Sequence, residues 1–234
     1  MGKAMRHCMT SLLLLLALAV PARGHEIILD PGHSPARPGT RSCSGGLEYA
    51  YNNDLLYTVY SYLKDRRIFV EVTRDPHGER SLMERAAASA GKKLFVSLHH
   101  DAAQPQFITR VNGNPCSEKA RGYSIFVSQK NPQYERSLAC ARVLGRTLRE
   151  LGLQPSTHHG EPIKGENRPL LDPELGIYRF DDLVVLKHAR SPAILLEAAV
   201  IIHPEDDKLA RSEDFQRRIA EGVARAAAHA LRNF

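Results

Sequence analysis

Ile27-Ile28-Leu29-Asp30-Pro31-Gly32-His33 is the stretch that decides the fold. Its three consecutive apolar residues, two of them β-branched, predict a buried strand. Pro31 has no N–H to donate to a sheet and Gly32 permits a positive φ, so the strand ends here. His33 therefore follows the carboxyl end of a strand, the edge at which open α/β sheets bind ligands. An imidazole held there is suited to bind a metal ion, although a surface histidine without a ligand fits the same stretch.

The first 24 residues have the layout of a secretory signal peptide. Lys3 and Arg6 precede an unbroken apolar run over residues 12–20, and small residues follow at 22–24. The run is shorter than the ~20 residues that a membrane-spanning helix needs. We therefore predict an exported protein without a transmembrane segment, cleaved before His25 and periplasmic or associated with the cell wall. An uncleaved amphiphilic anchor is the alternative, but the run has no polar face.

Length and charge limit the class of the remaining chain. Without the leader, 210 of the 234 residues remain, enough for one core and a single catalytic domain over residues 25–234. Loss of Lys3, Arg6 and Arg23 reduces the 32 basic residues to 29, against 26 acidic ones. This mild positive charge suits an anionic polymer such as a cell wall. The sequence lacks the Lys/Arg clusters of nucleic-acid-binding proteins, so we expect a protein that binds no nucleic acid. We also expect it to be a monomer.

Three cysteines remain after cleavage, and their spacing is too wide for a zinc knuckle. An oxidising compartment favours one disulfide and one leftover thiol. Cys43 and Cys116 lie in predicted loops rich in Gly, Ser, Asn and Pro, whereas Cys140 lies on a predicted helix at a buried position. We therefore predict a Cys43–Cys116 disulfide.

Hydrophobic periodicity predicts strands that alternate with helices. The predicted helices begin at Leu47, after the capping box of Ser81 and Glu84, at Asn131-Pro132, and after Ser212. Besides the first strand, short apolar runs predict strands at residues 68–72, 94–98, 122–127, 183–186 and 193–196. This alternation favours a single-domain α/β fold: an open, twisted, mostly parallel sheet with helices on both faces.

Residues 154–182 show no clear period and contain several prolines. Loops of this length in a compact domain are functional or disordered. The segment joins the predicted long helix to the strand that precedes the Glu197 strand, so we expect its end to lie near the candidate metal site. The side chains that could meet a metal or a wall polymer are His158, His159, Glu161, Glu166, Arg168 and Glu174. We predict a lid or a substrate-contacting wall, with a disordered surface loop as the alternative.

Polar groups follow three of the predicted strands: His33, then His99 or His100, and Glu197. Glu48 opens the helix that follows the first of these strands. Two histidines and one carboxylate with an open fourth position are the composition of a catalytic zinc site. Glu197 ends an apolar strand, so burial would raise its pKa toward that of a general base. Taken singly, Glu48 could be a carboxylate favoured by the helix dipole, and Glu197 an ion-pair partner.

Four motifs in this order resemble those of zinc-dependent N-acetylmuramoyl-L-alanine amidases, the type 3 family. The motifs are Ile28-Leu29-Asp30-Pro31-Gly32-His33, Gly46-Leu47-Glu48, Ser97-Leu98-His99-His100-Asp101-Ala102 and Pro192-Ala193-Ile194-Leu195-Leu196-Glu197, and Thr73-Arg74 and Arg85 also match the family's spacing. The resemblance implies that His33, Glu48 and His99 bind Zn²⁺ and that Glu197 is the catalytic carboxylate. The chain departs from the family at Ser34, where Gly is usual, and at residues 198–203, which lack the usual Gly-Phe and Ser-Asn.

The resemblance implies an enzyme that hydrolyses the amide between N-acetylmuramic acid and L-alanine in peptidoglycan, with an activator protein as a candidate partner. A zinc peptidase of the carboxypeptidase type is one alternative. It would carry a His-x-x-Glu pair, whereas His33 is followed at this spacing by Ala36. A non-catalytic wall-binding module derived from an amidase is another, but such a module would be expected to have lost a ligand or the base.

Overall fold

The computed structural model describes residues 26–74, 79–164 and 167–234, so the predicted signal peptide lies outside the described residues. Its strands are β1 (Ile27–Pro31), β2 (Val70–Val72), β3 (Leu94–Asp101), β4 (Thr109–Val111), β5 (Asn114–Cys116), β6 (Ser124–Val127), β7 (Leu170–Asp172), β8 (Ile177–Arg179) and β9 (Ala193–Val200). Its helices are α1 (Glu48–Asp65), α2 (Leu82–Ala87), α3 (Tyr134–Glu150), α4 (Val184–Lys187), α5 (Pro204–Ala210) and α6 (Glu213–Asn233).

Seven strands form one mixed sheet in the order β2-β1-β3-β9-β6-β8-β7. The β2, β1, β3 and β9 strands run parallel to one another, as do β6 and β8. The β6 strand is antiparallel to β9, and β7 is antiparallel to β8. The parallel half therefore brings the carboxyl ends of β1, β3 and β9 to one edge, where ligands bind in such sheets.

The sheet is covered on both faces because side chains alternate along each strand. Ile27 and Leu29 pack into the larger core, together with α1, α3 and α6. Ile28, between them, enters a smaller core on the opposite face with Val185 and Leu186 of α4. The predicted α/β class, with a mostly parallel sheet and helices on both faces, is thereby confirmed.

Three predicted helix starts are confirmed, with Leu47 as the N-cap of α1, and the fourth is displaced. Ser81 and Glu84 form the capping box of α2, and the Ser212 side chain accepts a hydrogen bond from the Phe215 N–H at the start of α6. The α3 helix begins at Tyr134 and not at Asn131-Pro132. Asn131 instead accepts a hydrogen bond from the Gln133 N–H and donates to carbonyls of α4 and of the loop that follows it, so it joins the start of α3 to that loop.

The predicted strand at residues 183–186 is wrong. This stretch forms the short helix α4, in which Leu186 N–H donates to the Leu183 carbonyl. A four-residue apolar run is too short to distinguish the period of a strand from that of a helix. Either structure would bury Val185 and Leu186.

Residues 154–182 also differ from the prediction of a lid or disordered loop. Their described part contains a 3₁₀ turn at His158–Gly160 and the two strands β7 and β8, which extend the sheet beyond β6. Each strand has three residues, so neither shows an alternation that sequence could reveal. Glu166 lies outside the described residues.

The Cys43–Cys116 disulfide is confirmed, and Cys140 is a buried free thiol. The bridge joins the loop before α1 to β5 of a small hairpin, β4–β5, that sequence analysis did not predict. Within the described residues, every helix is too short or too polar to span a membrane.

Candidate metal centre

His33, Glu48 and His99 converge at the carboxyl edge of β1 and β3. Glu48 Oε2 lies 3.0 Å from His33 Nε2, and Glu48 Oε1 lies 3.1 Å from His99 Nδ1. The ligand atoms of the three residues lie within 4.8 Å of one another. The carboxylate is almost fully buried while the two imidazoles are partly exposed, so the group opens to solvent on the histidine side.

The turn after β1 sets the direction of the His33 side chain. His33 has a φ of 62°, a left-handed conformation that non-glycine residues adopt uncommonly and that concentrates at functional sites. Its Nδ1 lies 3.2 Å from the Arg37 carbonyl oxygen, to which an Nδ1–H donates. With Nδ1 held by a protein oxygen, Nε2 is the nitrogen that faces Glu48, the arrangement typical of a metal-binding histidine.

Glu48 is held in place from several directions. Oε2 accepts a hydrogen bond from the Thr40 N–H at 3.1 Å, and Oε1 accepts one from Asn52 Nδ2 at 3.2 Å. Asn52 lies one turn further along α1, an i, i+4 spacing that could have identified it from sequence. Burial opposes ionisation of Glu48, but hydrogen bonds to His33 and His99 outweigh burial and lower its pKa far below the usual value. The carboxylate is therefore ionised.

Two glycines leave the room that this arrangement needs. Gly39 has a φ of +75°, and a Cβ there would lie 2.3 Å from Glu48 Oε2. A Cβ on Gly32 would lie 2.3 Å from the His99 ring. Both positions therefore require glycine for the carboxylate and imidazole to occupy their observed positions.

The alternation of β3 separates His99 from His100. His99 lies beside Glu48 and His33, whereas His100 faces α1, with its Nδ1 2.8 Å from Asn52 Oδ1. Burial lowers the pKa of His100 to about 4, so this imidazole is neutral at pH 7. The burial of His33 lowers its pKa, but the hydrogen bond and charge of Glu48 prevail and raise it.

Glu197 lies on β9, next to this group. It is paired with His99 on β3 and with Ser124 on β6. Its Oε2 and the Ser124 hydroxyl are buried and have no hydrogen-bond partner within the described part of the chain. Burial raises the pKa of Glu197 well above its usual value, and the negative charges of Asp101 and Glu48 raise it further. The Glu197 carboxylate is therefore more basic than that of an exposed glutamate.

A buried carboxylate beneath the His33 turn connects four elements. Asp30 Oδ1 accepts hydrogen bonds from Thr73 Oγ1 at 2.6 Å and Arg85 Nε at 2.7 Å. Asp30 Oδ2 accepts from Arg85 Nη2 and Ser97 Oγ, both at 2.7 Å. This network fixes the end of β1 relative to β3 and α2. The sequence signal for it was the match of Thr73-Arg74 and Arg85 to the family's spacing.

The start of segment 154–182, and not its end, reaches this edge of the sheet. His159 Nε2 lies 2.6 Å from Asp101 Oδ2, and His158 is buried beside it. The expectation that the end of this segment lies near the metal centre is wrong, since Asp181 contacts Ser128 beyond the carboxyl end of β6. Because β6 and β8 run opposite to β9, that position is at the other edge.

The other polar side chains of this segment lie away from the metal centre. Glu161 and Glu174 are exposed. Arg168 stacks on the Phe180 ring, with Cζ 4.0 Å from the ring centroid. These placements leave His158 and His159 as the members of the predicted set that meet a residue of β3.

The donor set of His33, Glu48 and His99 fits a catalytic zinc ion. Two imidazole nitrogens and a carboxylate match known catalytic zinc sites, which keep a fourth position for water or substrate. Contacts of 3.0 and 3.1 Å between donor atoms are close to the separation of about 3.3 Å that tetrahedral zinc imposes on its ligands.

Comparison with known proteins agrees with this architecture. A family model for N-acetylmuramoyl-L-alanine amidase matches residues 27–229. The N-acetylmuramoyl-L-alanine amidase AmiA of Escherichia coli (strain K12) is 25% identical over 223 residues, which cover 85% of this chain and 73% of AmiA.

Solved structures share the fold. The N-acetylmuramyl-L-alanine amidase Ami1 of Mycobacterium smegmatis has a TM-score of 0.69 at 21% identity, covering 89% of this chain and 97% of Ami1. The CwlD amidase of Clostridioides difficile, solved in complex with the GerS lipoprotein, has a TM-score of 0.63 at 17% identity over 88% and 98% of the two chains. Because the family match extends from β1 to α6 and contains every residue of the candidate centre, the chain belongs to the N-acetylmuramoyl-L-alanine amidase family.

Proposed function

We propose that this enzyme hydrolyses the amide between N-acetylmuramic acid and L-alanine in peptidoglycan, with Zn²⁺ held by His33, Glu48 and His99. The observation that carries the proposal is the convergence of these donor atoms at one sheet edge, with Glu197 paired to His99. The family supplies the bond that is cleaved.

The roles of the side chains follow from their surroundings. When bound, Zn²⁺ supplies Lewis-acid chemistry that polarises a carbonyl and acidifies water. Glu197 accepts a proton from the attacking water and delivers it to the departing amine of L-alanine. The raised pKa of Glu197 supports both transfers, because a more basic carboxylate takes the proton and its acid form is strong enough to return it. Glu48 stays ionised and acts as a ligand.

Two alternatives are less well supported. A carboxypeptidase would lie outside the family that residues 27–229 match. A wall-binding module without activity would need no intact centre, whereas this chain keeps three donors and a buried carboxylate in one group.

Digestion of purified peptidoglycan followed by mass spectrometry tests the proposal. We expect free stem peptides that begin with L-alanine and glycan strands that carry unsubstituted lactyl groups. Metal analysis of the same sample should find zinc. Peptides cleaved within the stem, with the muramoyl amide intact, would contradict the assignment.

Export and regulation extend the proposal. The leader pattern of residues 1–24 supports secretion, and amino-terminal sequencing of the exported protein should begin at His25. The complex of CwlD with the GerS lipoprotein supports a partner protein for this chain as well, and we propose that this partner is an activator. Affinity capture from envelope extracts, followed by an activity assay with the captured protein, tests that expectation. Equal activity with and without any captured protein would contradict it.

A further inference from the structure

A second group of metal-binding side chains lies next to Glu197, separate from the candidate zinc centre. Asp101, His158 and His159 each offer a ligand atom, and these atoms lie within 4.8 Å of one another. We propose that Asp101, His158 and His159 form a second site for a divalent metal ion of the Zn²⁺ class. The inference does not depend on the amide hydrolysis proposed above.

The strongest observation is a buried ring nitrogen of His158 that makes no hydrogen bond within the described residues. His158 is 4% exposed, and its Nε2 has no hydrogen-bond partner among the residues that the structure describes. This nitrogen faces Asp101 Oδ2 at 3.5 Å, too far for a hydrogen bond. A buried, unpaired nitrogen costs free energy, and a cation between it and the carboxylate would satisfy both groups.

The second nitrogen of the His158 ring has a partner as well. Nδ1 lies 2.7 Å from Ser156 Oγ. In the tautomer whose Nδ1–H donates to this hydroxyl, the lone pair of Nε2 is directed at Asp101 and is available to a metal ion. His33 in the first centre also has Nδ1 on a protein oxygen and Nε2 on the ligand side.

The distances between donors suit a metal ion. Ligands of tetrahedral zinc lie about 3.3 Å apart, and the His158–Asp101 separation of 3.5 Å is close to this value. His159 Nε2 lies 2.6 Å from the same carboxylate oxygen, so this pair would open by several tenths of an ångström on binding. Asp101 Oδ1 accepts a hydrogen bond from the Ala102 N–H, which leaves Oδ2 as the oxygen that faces both rings.

The site is built on fixed elements. Gln104 Nε2 donates to the His158 carbonyl at 2.8 Å, and the Arg168 N–H donates to the His159 carbonyl at 2.7 Å. The Tyr178 hydroxyl donates to the Ser156 carbonyl at 2.8 Å. Metal binding would therefore need little rearrangement of the backbone.

Two imidazoles and one carboxylate select the class of ion. Ca²⁺ and Mg²⁺ prefer sites made of oxygen atoms, whereas imidazole suits Zn²⁺ and neighbouring transition metals. Bound there, the ion would connect the His158–Gly160 turn to the end of β3, two residues beyond His99.

Metal titration of the tag-free protein tests the proposal. After chelator treatment, the wild type should bind two equivalents of Zn²⁺ in competition with a chromogenic chelator. A double variant, His158→Gln with His159→Gln, should bind one equivalent. The control His188→Gln, which removes an exposed histidine elsewhere, should still bind two. Retention of one equivalent by the double variant would show that it is folded.

A milder variant keeps the test decisive if the double variant does not fold. Ser156→Ala should lower the affinity for the second equivalent of Zn²⁺ by about 10- to 100-fold, as loss of a hydrogen bond to a metal-binding histidine does. The affinity for the first equivalent should be unchanged. The second equivalent should also raise the Tm of the wild type. The proposal would be overturned if the wild type bound only one equivalent of Zn²⁺, or if both variants bound the second equivalent as tightly as the wild type.

Discussion

Glu197 of β9 and His99 of β3 occupy paired positions on neighbouring parallel strands. Paired residues of a parallel sheet project on the same face, so the carboxylate and the imidazole lie on one side of the sheet. Backbone hydrogen bonds set their relative position, and each side chain comes from its own strand. One of the two can therefore be changed without displacing the other, which separates proton transfer from metal binding in the following experiments.

Replacement of Glu197 by Gln should leave the metal content unchanged and lower turnover by about 10²–10⁴-fold. The amide has nearly the same shape as the carboxylate but cannot accept a proton. Parallel metal analysis and product release from peptidoglycan provide the measurement. Turnover within a few-fold of wild type would rule out Glu197 as the general base.

Replacement of His99 by Ala should remove one equivalent of metal and abolish activity, because it takes away one of three proposed protein ligands. His100→Gln is the matched control, since His100 faces α1 and contacts Asn52. It should retain the metal. The reverse result, with metal kept by His99→Ala and lost by His100→Gln, would reverse the assignment.

Replacement of Arg85 by Met should lower the free energy of unfolding by about 3–5 kcal/mol, because it leaves the buried Asp30 carboxylate without its cation. The Asp30 side chain is inaccessible to solvent and Arg85 is 12% exposed. Urea unfolding measures the change. Adding Asp30→Asn to Arg85→Met should recover part of the loss.

The exposed pair Lys130–Asp182 provides the control for this experiment, with N and O 3.2 Å apart. Lys130→Met should cost less than about 1 kcal/mol, since water screens exposed ion pairs. A similar loss in both single variants would indicate that the burial of Asp30 is unimportant.

The stabilising effect of Asp207 should depend on pH. Burial of Asp207 raises its pKa, but hydrogen bonds from Tyr51 and Ser44 and the charge of Arg211 outweigh burial and lower it. A lowered folded-state pKa stabilises the protein above the ordinary aspartate value of about 4, and this contribution is lost as pH falls through the folded value. The difference in unfolding free energy between wild type and Asp207→Asn should therefore be largest near pH 7 and shrink below about pH 4. A pH-independent difference would contradict the assignment.

Removal of the Cys43–Cys116 disulfide by a double Ser substitution should lower the free energy of unfolding by about 4 kcal/mol, the chain-entropy value for a loop of this length. The bridge spans a sequence separation of 73 residues. Denaturant unfolding under non-reducing conditions measures the loss. Addition of a reductant should destabilise the wild type and have no further effect on the double variant.

Local sequence was sufficient for the parts of the fold that depend on neighbouring residues. The β1 strand, the turn to His33 and the Ser81 capping box follow from apolar periodicity, Pro and Gly chemistry and side-chain capping. Motif order then grouped the candidate ligands with Glu197. These features were predictable because each is specified within a few residues.

Short elements could not be predicted in this way. The three-residue strands β7 and β8 and the four-residue helix α4 are too brief to show a period. Their conformation depends on the sheet edge and the core against which they pack, which are contributed by distant parts of the chain.

The sequence by itself therefore determined the β1 edge, the alternating strands and helices and the candidate ligand motifs. The family resemblance already favoured His99 over His100, but only the tertiary structure decided how the two rings are held, with His99 beside Glu48 and His100 against Asn52. It also brought His158 and His159 to Asp101, nearly sixty residues away in the chain. The physical reason is that strand pairing and the packing of both sheet faces place these groups together, and no local periodicity records which distant strand or turn becomes the neighbour.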